Sequence, residues 1–320
     1  MSSGHSRRRR ILSDTRNAMW GLYPASPPFS LTGDRPKSGR MGKKRDDEIL
    51  TESVLESTRN LDRFSVDEIL AAIHREDCRA VDAVGAVLPE VARAVAALSL
   101  VLQGGGRWFN VGAGTSGRMG AIDAAEIPPT FGYPLDRVQA VVAGGPQALV
   151  RSVEGAEDDA LAARRALRER GLLPGDAVVA ISASGRTPFA LGALEEAREE
   201  GARRIAITCD PHSPLAKAAE IAIAPLVGPE VIAGSTRMKG GLAQKMVLHL
   251  LSTAVMVRLG RVEGNLMTNL RPASSKLARR ALRIVMSLAG VSEEEAEQLL
   301  AASRGRVYEA VALGRRRRRR

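Results

Sequence analysis

Two stretches of this sequence have the composition to hold an anion. Gly112-Ala113-Gly114-Thr115-Ser116-Gly117-Arg118 and Ser182-Ala183-Ser184-Gly185-Arg186-Thr187-Pro188 each follow an apolar run and open a helical one. Helix N-termini present unpaired N–H groups and a positive dipole end, glycine lets the backbone approach closely, and Ser/Thr hydroxyls add donors for phosphate oxygens. Pro188 suits a first helical turn, where its missing N–H costs nothing. Thr115, Ser116 and Gly117 in the first loop, and Ser182, Ser184, Gly185 and Thr187 in the second, are the candidate phosphate-binding residues. Turns of this kind also occur in parallel α/β folds that bind nothing there.

Nucleotide sites fit poorly. No Gly-Lys-Ser/Thr ending marks a Walker loop, and although residues 112–117 match the bare G-x-G-x-x-G pattern, the next strand, 138–143, runs into Gly144-Gly145 with no acid for a ribose. A sugar phosphate, which needs one anion cradle, fits better than a dinucleotide. The two cysteines, Cys78 and Cys209, and the four histidines have none of the paired spacings of metal, haem or redox sites, so no obligatory metal is expected, in a reducing compartment. His249, inside a long apolar helical run, reads as a core residue.

The formal charge of +11 raises the question of nucleic acid, and its distribution answers it. Residues 1–45 carry eleven Lys/Arg against two acids, and residues 315–320 are all arginine, so the body, 46–314, is mildly acidic. Aromatic residues are only 3%, too few for base-stacking platforms, and no specific nucleic-acid partner is expected. No apolar h-region precedes the body and no uninterrupted apolar run has the length of a bilayer span, so the expectation is a cytoplasmic protein without a membrane partner.

The elements that must carry these loops follow from periodicity. Ser65 with Glu68 reads as a capping box, and apolar residues at helical spacing run from Leu70 to Leu98. Strands near 107–111, 138–143, 177–182, 204–208 and 221–226 alternate with helices from about 117 to the Pro128-Pro129 pair, where a helix should stop, and over 156–169, 188–200 and 238–259. Strands separated by helices mean βαβ units, hence an α/β fold with a doubly wound parallel sheet covered by helices on both faces. Beyond residue 271 the pattern is helical, broken at Gly290 and Gly305. The expected organisation is a disordered basic leader (1–45), a sugar-phosphate-binding catalytic domain with N-terminal helices (46–270), a small helical domain (271–314) and an arginine tail (315–320).

The second loop resembles the Ser-x-Ser-Gly-x-Thr signature of SIS (sugar isomerase) domains. More specifically, the first loop, Asp123-Ala124-Ala125-Glu126-Ile127-Pro128-Pro129-Thr130, Ala143-Gly144-Gly145, Val153-Glu154-Gly155-Ala156-Glu157-Asp158 and Gly234-Ser235-Thr236-Arg237-Met238-Lys239 resemble, in order and spacing, the N-acetylmuramic acid 6-phosphate etherases. That resemblance implies a cytoplasmic homodimer of SIS folds that converts N-acetylmuramic acid 6-phosphate and water to N-acetylglucosamine 6-phosphate and D-lactate in cell-wall recycling, without a cofactor. It places Glu126 on the family's proton donor and Glu157 on its second catalytic glutamate. Arg118, Arg237 and Lys239 are the cations expected near substrate anions, although solvation at the surface is the commoner role of each.

Breaking an ether next to an acidic C–H requires one base and one acid, and local context separates the two glutamates. Glu126 falls in the last turn of its helix, where the negative dipole end and apolar neighbours favour a protonated acid; Glu157 falls in a first turn, where the positive end favours a carboxylate. Glu157, Asp158 and Asp159 could equally be first-turn acids that complement the dipole, and Glu154 competes with Glu157 on proximity alone. Two other functions fit the same loops: a sugar-phosphate isomerase, and a non-catalytic sugar-phosphate sensor resembling the glucokinase regulatory protein, which is much longer and carries a duplicated SIS region.

Overall fold

The computed structural model describes residues 50–270, 272 and 274–318; the expected basic leader and Arg319–Arg320 lie outside the described residues. Five strands, β1 (Trp108–Gly112), β2 (Val138–Val142), β3 (Ala177–Ile181), β4 (Arg203–Ile207) and β5 (Ile221–Ile223), form one sheet in the order β2-β1-β3-β4-β5. Every pairing is parallel; Trp108 lies opposite both Val138 and Ala177. Alternate side chains feed two cores, as a sheet covered on both faces requires. Trp108, Val179, Ile181, Ile205 and Ile207 enter one, Phe109, Val111, Val178, Ala180 and Ala206 the other.

The first core is roofed by α1 (Val66–Ala86), α2 (Leu88–Gln103), α3 (Gly114–Phe131) and α7 (Lys239–Arg258), the second by α4 (Ala160–Glu169), α5 (Pro188–Glu199) and α6 (Pro214–Ala218). The Ser65–Glu68 capping box forms as expected. The opening helical run is two helices, bent by 59° at Val87 with Pro89 in the first turn of the second. Among the described residues α7 alone is long and apolar enough by itself to cross a membrane, and it packs against α1, α2 and α3 as a core helix. Helices α8 (Ser275–Ala289), α9 (Glu293–Ala302) and α10 (Val307–Arg318) share a small core of their own around Ile284, Val285, Leu299 and Val311.

Three local expectations are corrected. Helix α3 does not stop at Pro128-Pro129 but contains both and ends at Phe131, capped by left-handed Gly132. Buried Ile127 and Phe131 anchor that last stretch on the sheet, and this packing outweighs the two N–H groups the prolines lack. The helix expected over 156–169 is a 3-10 turn, Ala156–Asp158, followed by α4, because Asp159 caps α4 through the N–H of Ala162 (2.8 Å). The arginine run expected as a tail continues α10 as far as Arg318, with Arg315 bonding the Leu288 carbonyl and Glu263.

Candidate active site

In this strand order β1 connects outward to β2 while β3 lies on its other side, so the chain reverses direction across the sheet between β1 and β3. The crevice beyond the carboxyl ends of strands at such a point is where open α/β sheets bind ligands. Both glycine-rich loops emerge there, one after β1 and one after β3. Asn110 fixes the first: its buried side chain accepts from Trp108 Nε1 (2.7 Å) and donates to the Gly120 carbonyl (3.1 Å), tying α3 to β1.

The second loop is tightly organised. Ser182 Oγ lies 2.9 Å from Thr187 Oγ1 and accepts from the Gly185 N–H at 3.1 Å, while Ser184 Oγ accepts from the Arg186 N–H at 3.3 Å. Gly185 has φ +64, and a Cβ there would collide with the buried Ser213 hydroxyl, so both its dihedral and its surroundings demand glycine. Thr187 precedes Pro188 at the start of α5, which turns that helix's N–H groups toward the loop. Arg186, the unassigned position in the Ser-x-Ser-Gly-x-Thr pattern, has a buried Nε with no hydrogen-bond partner. An arginine in this loop with a buried, unpartnered Nε is a feature the pattern does not reveal, because that position is free to vary within it.

The first loop and α7 close the cradle. Gly117 packs so tightly on the Gly112 carbonyl that a Cβ has no room. Gly241 brings the start of α7 within van der Waals reach of the Thr115 methyl, and Gly240 brings it near Ala183 of the second loop. Ser116 Oγ donates to Gln244 Oε1 (3.0 Å), leaving the Gln244 amide nitrogen buried and without a partner. Buried Glu230 accepts from the Lys239 and Gly240 N–H groups at 3.2 and 2.8 Å and so occupies the α7 N-terminus itself. Burial pushes the Glu230 carboxyl above its ordinary range against those bonds, and burial together with Glu230 pushes the Cys209 thiol up to about 12, an inert thiol. Gln244 escapes sequence reasoning because Ser116 lies 128 positions away, and Glu230 because it stands in an irregular segment without periodicity, nine and ten residues before its partners.

The cations expected around the site separate. Arg237 is exposed, two residues before the start of α7. Arg118 Nε donates to the Ala148 carbonyl (2.9 Å). Lys239 is 1% exposed and its ammonium meets the buried carboxylate of Glu76 on α1, so it serves an ion pair inside the fold rather than an anion in the crevice. His249 is a further correction: it is exposed on α7 and its Nδ1 faces the Lys245 carbonyl at 2.9 Å.

Both glutamates are exposed, and neither forms an ion pair or side-chain hydrogen bond among the described residues. Glu126 stands on α3 five residues before its end, one turn beyond Asp123, so the expected apolar, last-turn setting is not what the chain provides. Pro128 and Pro129 nevertheless have no N–H for the carbonyls of Ala124 and Ala125, which leaves helix dipole uncompensated beside Glu126. Glu157 sits with Asp158 in the 3-10 turn after left-handed Gly155, ahead of α4, and Asp159 caps α4. Glu154 is exposed as well. Asp123 is the perturbed acid of α3: its Oδ1 accepts from Ser252 Oγ (2.9 Å), its Oδ2 is buried without a partner, and burial pushes its carboxyl up to about 6.

A model of the glucokinase regulatory protein N-terminal SIS domain matches residues 90–198, and the SIS domain model matches residues 171–254. An N-acetylmuramic acid 6-phosphate etherase of Symbiobacterium thermophilum is 50% identical over 265 residues, 82% of this chain and 87% of that protein. Another from Yersinia pestis is 50% identical over 252 residues, 79% of this chain and 85% of that one. Among solved structures, a phosphoheptose isomerase from Francisella tularensis is 21% identical with a TM-score of 0.48, over 60% of this chain and 98% of the other.

Proposed function

Since this chain belongs to the N-acetylmuramic acid 6-phosphate etherase family, we propose that it divides the family's reaction between two exposed glutamates around a prebuilt phosphate cradle. The protein is a carbon–oxygen lyase that cleaves the lactyl ether of N-acetylmuramic acid 6-phosphate, giving N-acetylglucosamine 6-phosphate and D-lactate. The observation that carries our reading is the meeting of the two glycine loops and the start of α7 beyond the carboxyl ends of β1 and β3.

The phosphate takes the hydroxyls of Ser182, Ser184 and Thr187 and the first N–H groups of α5, with the Arg186 guanidinium beside it and Thr115, Ser116 and Gly117 forming the facing wall. In the ring-opened sugar Glu157 removes the proton on the carbon next to the aldehyde. Those electrons form a carbon–carbon double bond as the ether C–O bond breaks, and Glu126 donates a proton to the departing lactyl oxygen. Water then adds across the double bond, its hydroxyl to the former ether carbon and a proton to the carbon beside the aldehyde. Arg237 is the cation for the lactyl carboxylate.

The working unit is a cytoplasmic homodimer that serves cell-wall recycling. Supporting the dimer, Val66, Leu70, Val81, Leu88 and Leu100 leave exposed apolar side chains along α1 and α2, outside the core that the chain builds alone. The test is proton NMR in deuterium oxide beside a lactate assay. Glu126→Gln should stop lactate release yet still exchange the substrate hydrogen next to the aldehyde with solvent, while Glu157→Gln should lose both. Exchange that survives in Glu157→Gln and disappears in Glu126→Gln reverses the roles.

A further inference from the structure

Where α3 ends at Gly132, the segment after α7 and the turn between α9 and α10 enclose a cleft of about 580 Å³, within the range of small-molecule sites. No residue of the two glycine loops lines it. Among the described residues its charged lining is Arg261, Arg304 and Arg306 with one acid, Glu309, which is taken by Arg306 at 3.1 Å. Glu263, two residues from Arg261, pairs instead with Arg315. Arg261 and Arg304 therefore face the cleft with no carboxylate partner among the described residues. Arg261 is held in place by stacking on Tyr133, its guanidinium carbon 4.9 Å from the ring centre. The first turn of the twelve-residue α10, beginning at Val307, opens into the same space with its unpaired N–H groups.

The backbone adds an independent observation. Arg304 is the one non-glycine residue among those described with a positive φ, +53. It follows the last turn of α9, where the Arg304 N–H bonds the Ala301 carbonyl (3.1 Å) and the Gly305 N–H bonds the Leu300 carbonyl (2.8 Å). That pattern is a helix ending which glycine normally fills, because an L side chain is disfavoured in the left-handed region. The turn therefore carries an arginine, at the lip of a cationic cleft, in a backbone conformation that disfavours it.

We propose that this cleft binds a phosphate-bearing small molecule, gripped by Arg261 and Arg304 above the N-terminus of α10. Paired guanidinium groups match phosphate oxygens by parallel hydrogen bonds, and a helix N-terminus adds N–H donors of the same sense.

The experiment uses the full chain carrying Ser184→Ala and Thr187→Val, which disable the loop cradle, and titrates inorganic phosphate and glucose 6-phosphate by calorimetry at low salt. Saturable binding of either should persist in this background. Adding Arg304→Gly should weaken it about ten-fold or more while Tm holds or rises, since glycine relaxes the turn; Arg261→Met should weaken it similarly. Tighter binding of the sugar phosphate identifies an organic phosphate as the ligand, and equal affinity identifies free phosphate. An isotherm unchanged by Arg304→Gly overturns the proposal. So does a fall in Tm on that substitution, which assigns Arg304 to the fold, or saturation by a duplex oligonucleotide with neither small phosphate bound.

Discussion

The loop over 182–187 and the two glutamates, which we propose as phosphate cradle and acid–base pair, are built on opposite plans. The loop over 182–187 is finished within the single chain: its hydroxyls bond one another and the backbone, its glycine cannot be replaced, and buried Thr208 and Ser213 pack beneath it. Glu126 and Glu157 are exposed, unpaired and carried on a helix surface and a short 3-10 turn. A binding site gains by being preorganised, because ordering it after the substrate arrives would be subtracted from affinity. Groups that exchange protons must instead meet the reacting atoms, so an acid and a base can stand open until substrate covers them.

That contrast predicts substitutions of different character. In Glu126→Gln and Glu157→Gln lactate release should fall about 10² to 10⁴-fold, the range for losing a general acid or base, with Tm unchanged because neither carboxylate holds the fold. A large loss of Tm in either variant places that glutamate in the structure rather than the chemistry. Lys239→Met should do the opposite. It strands the buried Glu76 carboxylate, which keeps only Arg79 at 2.7 Å, and should cost about 3 kcal/mol in urea unfolding. If that variant keeps its Tm and loses substrate affinity instead, Lys239 belongs to the crevice after all.

Gly185→Ala joins the two effects. It forces an L residue to φ +64 and drives a methyl into Ser213, so we expect about 2 kcal/mol lost together with a KM raised at least about ten-fold. A KM unchanged in the folded variant would show that phosphate lies elsewhere. The smallest effect concerns Asp123. Its carboxyl is near 6 in the folded chain against 3.8 unfolded, so the folded state holds the proton more tightly. The stability this group contributes is complete below pH 3.8 and is lost as the pH rises through 6. Asp123→Asn, which cannot ionise, should therefore gain about 1–2 kcal/mol at pH 8 and nothing at pH 4. Thermal melts at the two pH values check it; an equal gain at both indicates a packing effect.

The parallel sheet and the positions of both glycine-rich loops were legible in the sequence because each depends on neighbours in the chain. Apolar runs of strand length, helical periodicity, and glycine and hydroxyl residues at a strand-to-helix turn are local signals, and local sterics with backbone hydrogen bonding are enough to express them. The proposal of Glu126 and Glu157 as acid and base rests on the resemblance of their sequence blocks. Tertiary structure alone decided the rest. It carried α3 through Pro128-Pro129 by burying Ile127 and Phe131, and it paired Lys239 with Glu76, 163 positions away. It also set Gln244 against Ser116 and gave Glu230 to the start of α7. The local preference of a proline pair to end a helix yields where the continued helix buries two large apolar side chains. A charge taken out of water must find a partner wherever the fold brings one, and no spacing along the chain records that distance.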